Sequence, residues 1–267
     1  MAEGVRVETH GKVLEITLDR PPVNAINQDV SDGIYEALCQ LRDDDGLLVG
    51  IVTGAGERCF SAGWDLKAVA ALDDDTPSEQ LGDTPGGWAG ITEFFDLDKP
   101  LLCAVNGLAI GGGFEVVLAC DLIVAAEHAE FWLPDMERGF LPDAGAIQRL
   151  PRRLPPDVAL DLLYTGRHMD AAEAKHWGLV RDVVPSADLA DHARALATQI
   201  SEGPPLAVRA LKAVWPELTR GTVPEAMLKT KRGRTGIPVY EQMLASEDFK
   251  EGPRAFAEKR KPVWKGR

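Results

Sequence analysis

The chain has few of the residues that build staples, metal sites and membrane spans. Its 267 residues include four cysteines, Cys39, Cys59, Cys103 and Cys120. None forms a Cys-x-x-Cys pair, and each sits in or beside an apolar segment. They read as buried free thiols in a reducing compartment, which excludes a disulfide scaffold. Five histidines, at positions 10, 128, 168, 176 and 192, show no metal-ligand spacing. Neither a metal site nor histidine-driven catalysis is expected. Apolar runs such as Leu47–Val52 and Val116–Cys120 are strand or helix sized. None approaches the roughly 18 residues of a membrane span. Residues 1–10 hold no basic region followed by an apolar stretch, so no secretory signal is expected and the chain reads as cytoplasmic.

Positive charge is also scarce. Lysine and arginine total 29 against 42 acidic residues, for a net charge of −13. Long-range repulsion excludes a nucleic acid as the main partner. A basic run closes the chain: Lys259, Arg260, Lys261, Lys265 and Arg267. By charge alone it reads as a solvated tail.

What is present suits a large α/β domain that buries its core without staples. Val5–Glu8 and Val13–Leu18 read as strands, and Asn27–Leu41 sets Val30, Ile34, Leu38 and Leu41 on one helical face. Leu47–Thr53, Leu101–Val105 and Leu122–Ala125 are near-continuous apolar runs, as in strands buried on both faces. Glycine-rich loops follow Thr53 and Val105 and lead toward helices, the pattern of a parallel α/β structure. The acidic, Pro/Gly-rich stretch from Leu72 to Gly87 reads as a mobile surface loop of lid type. From about Ala171 the patterns are mostly helical, including Ala187–Ile200, Leu206–Leu218 and Val223–Lys231.

Two backbone motifs and three carboxylates carry the chemistry. Phe60-Ser-Ala-Gly-Trp-Asp-Leu66 and Ile110-Gly-Gly-Gly-Phe-Glu115 each follow a strand and open a helix. Helix starts leave N–H groups unpaired, and small residues let a ligand reach them. Two such groups aimed at one point make an oxyanion hole, although glycine used only for tight packing explains either loop alone. Neither loop is a nucleotide phosphate cradle, because no Gly-Lys-Ser/Thr follows. Glu115 sits in the first turn of an apolar helix, as a dipole partner or as a buried functional carboxylate. Asp135 and Asp143 each follow Leu-Pro, where a turn or cap is the plain alternative.

Taken in order, these motifs resemble the crotonase (enoyl-CoA hydratase/isomerase) superfamily over nearly the whole chain. Within it, the sequence is most similar to the carnitinyl-CoA dehydratases, or crotonobetainyl-CoA hydratases. Carrying that likeness are Leu14–Pro21, Ser61–Lys67, Asn106-Gly107 and the closing Phe256–Arg260 and Pro262–Arg267. The resemblance implies a spiral of β-β-α repeats over 1–200, holding the coenzyme A and active sites. A helical trimerisation region over 201–267 would assemble a homotrimer or a dimer of trimers. The substrate would be an acyl-CoA thioester, with coenzyme A entering as part of it and no separate cofactor.

Site roles follow from the same likeness. The amides of Ala62 and Gly112 would form the oxyanion hole, and Glu115 and Asp135 would be the catalytic carboxylates. One activates water for attack at Cβ while the other delivers a proton to Cα; dehydration reverses this. Asn24, Ala25, Ala62, Trp64, Asp65 and Leu66 would flank coenzyme A, with Phe256 and Lys259 reaching it, often from a neighbouring subunit.

The chain also departs from the pattern. Aspartate stands at 135 where the hydratases carry glutamate, which sets the carboxylate back by up to about 1.5 Å. Trp132 replaces a small residue and is expected to pack in the core rather than beside the acyl group. Ala146 replaces a glycine. Glu137 is expected to be solvated. Trp64, Trp88 and Trp132 are candidate aromatic walls for a trimethylammonium group. Three readings stay open: a hydratase/dehydratase using Glu115 and Asp135, an isomerase or acyl-CoA hydrolase using Glu115 and Asp143, and a low-activity acyl-CoA binding protein.

Overall fold

The computed structural model describes residues 3–70, 82–233 and 235–267. Its strands are β1 (Val5–His10), β2 (Val13–Leu18), β3 (Val49–Gly54), β4 (Cys59–Ser61), β5 (Asp83–Thr84), β6 (Gly87–Trp88), β7 (Leu101–Val105), β8 (Leu108–Ile110), β9 (Leu122–Ala126), β10 (Glu130–Trp132), β11 (Met169–Asp170) and β12 (Asp182–Val184). Its helices are α1 (Gln28–Asp43), α2 (Leu66–Ala70), α3 (Gly112–Ala119), α4 (Ala146–Arg153), α5 (Pro156–Thr165), α6 (Ala171–His176), α7 (Leu189–Ser201), α8 (Pro205–Leu218), α9 (Val223–Leu228), α10 (Pro238–Ala245) and α11 (Glu247–Ala257).

Among the described residues, two sheets take ten of the strands, and β5 and β6 pair with each other. The first runs β1-β2-β3-β7-β9-β12 and the second β11-β10-β8-β4. From β3 onward, successive strands step from the first sheet to the second before a helix returns the chain: β3-β4-α2, β7-β8-α3, β9-β10-α4. Within each sheet these strands are parallel. This is the β-β-α spiral expected from the resemblance.

Why the first sheet reads as unbroken apolar runs is visible in its two faces. Leu14, Ile16, Val52, Cys103, Val105 and Ile123 point into a core shared with α1 and the second sheet. The alternate residues Val13, Ile51, Leu102, Ala104 and Val124 meet Leu189, Ala193 and Ala197 of α7. With both faces covered, most positions of the inner strands are apolar. Thr17, Thr53 and Glu15 are exceptions, and Arg194 of α7 holds the two Glu15 oxygens at 2.8 and 2.9 Å.

Two asparagines fix the corners between the sheets. Asn106 accepts from the Gly54 amide at 3.2 Å and donates to the Gly56 carbonyl at 2.7 Å. Asn24, in a left-handed conformation (φ 50°), donates to the Cys59 carbonyl at 2.9 Å. A β-carbon on Gly107 would meet the Arg58 carbonyl at 2.4 Å, so the Asn-Gly pair suits this turn sterically.

The C-terminal part is helical, as expected. Helix α8 is tied to the sheet loops by Arg209–Asp98 at 2.9 Å and Lys212–Asp121 at 2.8 Å. The last residues fold back on α11, where Asp248 accepts from the amides of Lys265 and Gly266, each at 2.8 Å. The expected loop over Leu72–Gly87 lies outside the described residues as far as 81. From Gly82 the chain packs, with β5 and β6 paired as a hairpin. Among the described residues, no helix is long and apolar enough to cross a membrane.

Candidate active site

Parallel pairing of β8 with β10 sets Ile110 against Trp132. One residue on, the Gly111 amide donates to the Trp132 carbonyl at 2.8 Å, so α3 begins where β10 ends. Gly111 (φ 51°, ψ −123°) adopts a backbone shape that side chains resist. Gly63, in the other loop, has φ 75°, and a β-carbon there would lie 2.7 Å from the Gly112 nitrogen. The two glycine loops therefore touch, as an oxyanion hole requires.

The donors differ from expectation at one position. The Ala62 amide donates to the Val23 carbonyl at 2.9 Å and is spent on the fold. Trp64 and Gly112 carry amides with no acceptor among the described residues, and both residues line the same cavity. Among the described residues, the uncommitted amide beside that of Gly112 is therefore that of Trp64, not Ala62.

That cavity has a volume of about 710 Å³. Of the expected ligand contacts, Ala25, Ala62, Trp64, Asp65, Leu66 and Gly112 line it, as does Asp135. Asn24 does not: it is 3% exposed and its side chain holds the corner described above. Asp65 is partly committed as well, pairing with Arg20 at 2.8 Å. Phe256 and Lys259 lie away from the lining, and Phe256 is 86% exposed. In the basic tail, Arg260 pairs with Glu251 and Glu258, and Lys265 and Arg267 with Glu247. Most of that charge is neutralised within the chain.

The carboxylates are placed unequally. Glu115 is 3% exposed, beneath the glycine turn, and its Oε1 accepts from the Ala146 amide at 3.0 Å. Burial pushes its pKa up to about 8, the charges of Asp135 and Asp143 add to the rise, and the Ala146 amide and Arg149 oppose it. Asp135 opens a 3-10 turn, Asp135–Arg138. A β-carbon on Gly111 would lie 3.7 Å from both of its carboxylate oxygens. Burial raises its pKa as well, while Arg138 works against the shift. Asp143 is exposed and outside the lining, and so is Glu137.

Trp132 is half-buried on the cavity wall rather than packed in the core. Its ring stacks on His168 (centroids 4.5 Å apart, 28° between planes), with the Arg138 guanidinium 5.8 Å from the ring centre. Trp88 is absent from the lining and lies across Gly112 instead. Arg138, Phe140 and Lys67 also line the cavity and were not anticipated. The sequence signal for Arg138 was its place three residues after Asp135, within one turn. Among the described residues, Glu8, His10 and Glu15 form one cluster of metal-ligand type. The Arg194 guanidinium already occupies the Glu15 carboxylate, so the cluster fits an ion-pair network better than a cation.

Comparisons with known proteins place the chain in a family. The sequence model of the enoyl-CoA hydratase/isomerase family matches residues 8–267. Carnitinyl-CoA dehydratases of Citrobacter koseri and Salmonella agona are each 49% identical over all of both chains. An enoyl-CoA hydratase structure from Mycobacterium tuberculosis superposes with a TM-score of 0.88 at 38% identity, covering 99% of each chain. One from Bacillus anthracis gives 0.89 at 32%, covering 99% of this chain and 100% of the other. With a spiral fold, two touching glycine loops and a full-length match, this chain belongs to the enoyl-CoA hydratase/isomerase family.

Proposed function

We propose that this protein adds water to, or removes it from, the Cα–Cβ bond of an acyl-CoA thioester, in the manner of the carnitinyl-CoA dehydratases it resembles. One observation carries the choice of residues. Asp135 lines the same cavity as Gly112 and Trp64, whereas Asp143 stands exposed outside it. Glu115 is not in the lining itself but buried beneath the glycine turn, and Asp135 rather than Asp143 is its working partner.

The amides of Trp64 and Gly112 hold the thioester oxygen as it gains enolate charge. At neutral pH, Glu115 keeps its proton. In dehydration, Asp135 removes the Cα proton, the double bond forms, and the Cβ–O bond breaks as Glu115 protonates the departing hydroxyl. Hydration runs the same steps backward. Coenzyme A enters as part of the substrate, and these steps call for no further cofactor. The apolar, exposed side chains of Leu211, Trp215, Met227, Phe249 and Phe256 favour assembly through the C-terminal helices, as a homotrimer or a dimer of trimers in the cytoplasm.

The deciding experiment is product analysis on crotonobetainyl-CoA and crotonyl-CoA with wild type and Glu115→Gln. Addition of water, lost in the variant, supports the proposal. A shifted double bond or released free coenzyme A with no hydration overturns it.

A further inference from the structure

Three buried side-chain polar atoms lack a hydrogen-bond partner among the described residues, and two of them, Trp132 Nε1 and Asp135 Oδ2, belong to residues that line the cavity. They are three residues apart, at the end of β10 and the start of the 3-10 turn. One is a donor only, and the ionised carboxylate is an acceptor only. Leaving either unpaired away from water is costly, so the pair marks a place where a ligand atom is expected. A hydroxyl accepts and donates at once, so a single hydroxyl placed between them would satisfy both.

We propose that the indole N–H of Trp132 is a catalytic contact to the substrate's β-oxygen, held jointly with the Asp135 carboxylate. This rests on the proposed reaction, whose substrate or product carries that hydroxyl on Cβ. The fixed geometry supports it. The backbone of Trp132 is held by the Gly111 amide, its ring is braced by His168, and the Asp135 carboxylate lies over Gly111, beside the unpaired Gly112 amide. A thioester oxygen on the Gly112 amide would thus bring the acyl chain to the Asp135 side of α3. The contact also gives a reason for the tryptophan and the aspartate to occur together. A carboxylate one methylene shorter than glutamate reaches less far, and a second group fixing the oxygen restores its position. In dehydration, as the Cβ–O bond breaks and the electron pair moves to oxygen, the N–H stabilises the growing negative charge while Glu115 supplies the proton that makes water.

The test compares binding of 3-hydroxybutanoyl-CoA with butanoyl-CoA, which differ only by the hydroxyl. Both are titrated calorimetrically into Glu115→Gln, where turnover is blocked, with and without Trp132→Phe. The expected result is that the hydroxyl tightens binding about tenfold when the tryptophan is present and less than about threefold in Trp132→Phe, while butanoyl-CoA binds both proteins equally. Should Trp132→Phe fold poorly, replacing Trp132 by benzothienylalanine keeps the ring and removes only the N–H. With Glu115 intact, kcat for dehydration of 3-hydroxybutanoyl-CoA should fall at least about tenfold on removing the N–H, with KM little changed. An unchanged hydroxyl preference, or equal weakening of both ligands, overturns the proposal and leaves Trp132 as a wall. If wild type neither hydrates crotonyl-CoA nor dehydrates its product, the proposed reaction fails, and the binding ratio still decides the role of Trp132.

Discussion

The Glu115 carboxylate accepts the amide of Ala146 at 3.0 Å, joining the first turn of α3 to the first residue of α4. This bond fixes one carboxylate oxygen, while the other has no protein partner among the described residues. Burial outweighs the single amide, and the acid is raised to about 8 from its usual 4.5.

The raised pKa sets a stability slope. Folded protein keeps a proton on Glu115 that the unfolded chain releases, so stability falls as pH rises from about 4.5 to about 8. Glu115→Gln removes this loss. The variant should gain on the order of 1–4 kcal/mol over wild type at about pH 8.5 and nearly nothing at about pH 4.5, read by urea denaturation.

Activity should follow the same group. As the acid in dehydration, Glu115 must be protonated, so kcat/KM for dehydration should decline as pH rises through about 8. Glu115→Gln and Asp135→Asn should each lower kcat by roughly 100- to 10,000-fold. Asp143→Asn should stay within about threefold of wild type, since the carboxylate is exposed. Steady-state kinetics on crotonyl-CoA separate the three.

Gly112 has no room for a side chain. A β-carbon would lie 2.2 Å from the Trp88 ring, so Gly112→Ala must displace the indole or the amide. A displaced oxyanion donor should cost about 100-fold in kcat, with a lower melting temperature.

Asn106 should affect stability rather than chemistry. Asn106→Ala leaves the Gly54 amide and Gly56 carbonyl without their partner, at a cost of about 2 kcal/mol by urea denaturation. Protein that remains folded should keep its kcat.

Much of the first sheet was legible because burial on both faces leaves a local trace. The runs at 49–54, 101–105 and 122–126 are apolar at almost every position, and α1 shows its buried face at Val30, Ile34 and Leu38. The second sheet left no such trace. Strands β4, β8 and β10 are three residues each, too short for a period to register. They entered only through the family resemblance.

The sequence by itself determined which groups are available: two glycine loops opening helices, and carboxylates at 115, 135 and 143. Their types and order survive any folding, because they are properties of the chain. Only the tertiary structure decided how each group is spent. The Ala62 amide and Asn24 side chain go to internal partners, the Trp64 amide has no acceptor among the described residues, Asp143 stays outside the cavity lining, and Trp132 turns to the cavity. Those outcomes depend on hydrogen bonds between distant residues, such as Asn24 and Cys59 at a separation of 35, which no local pattern encodes.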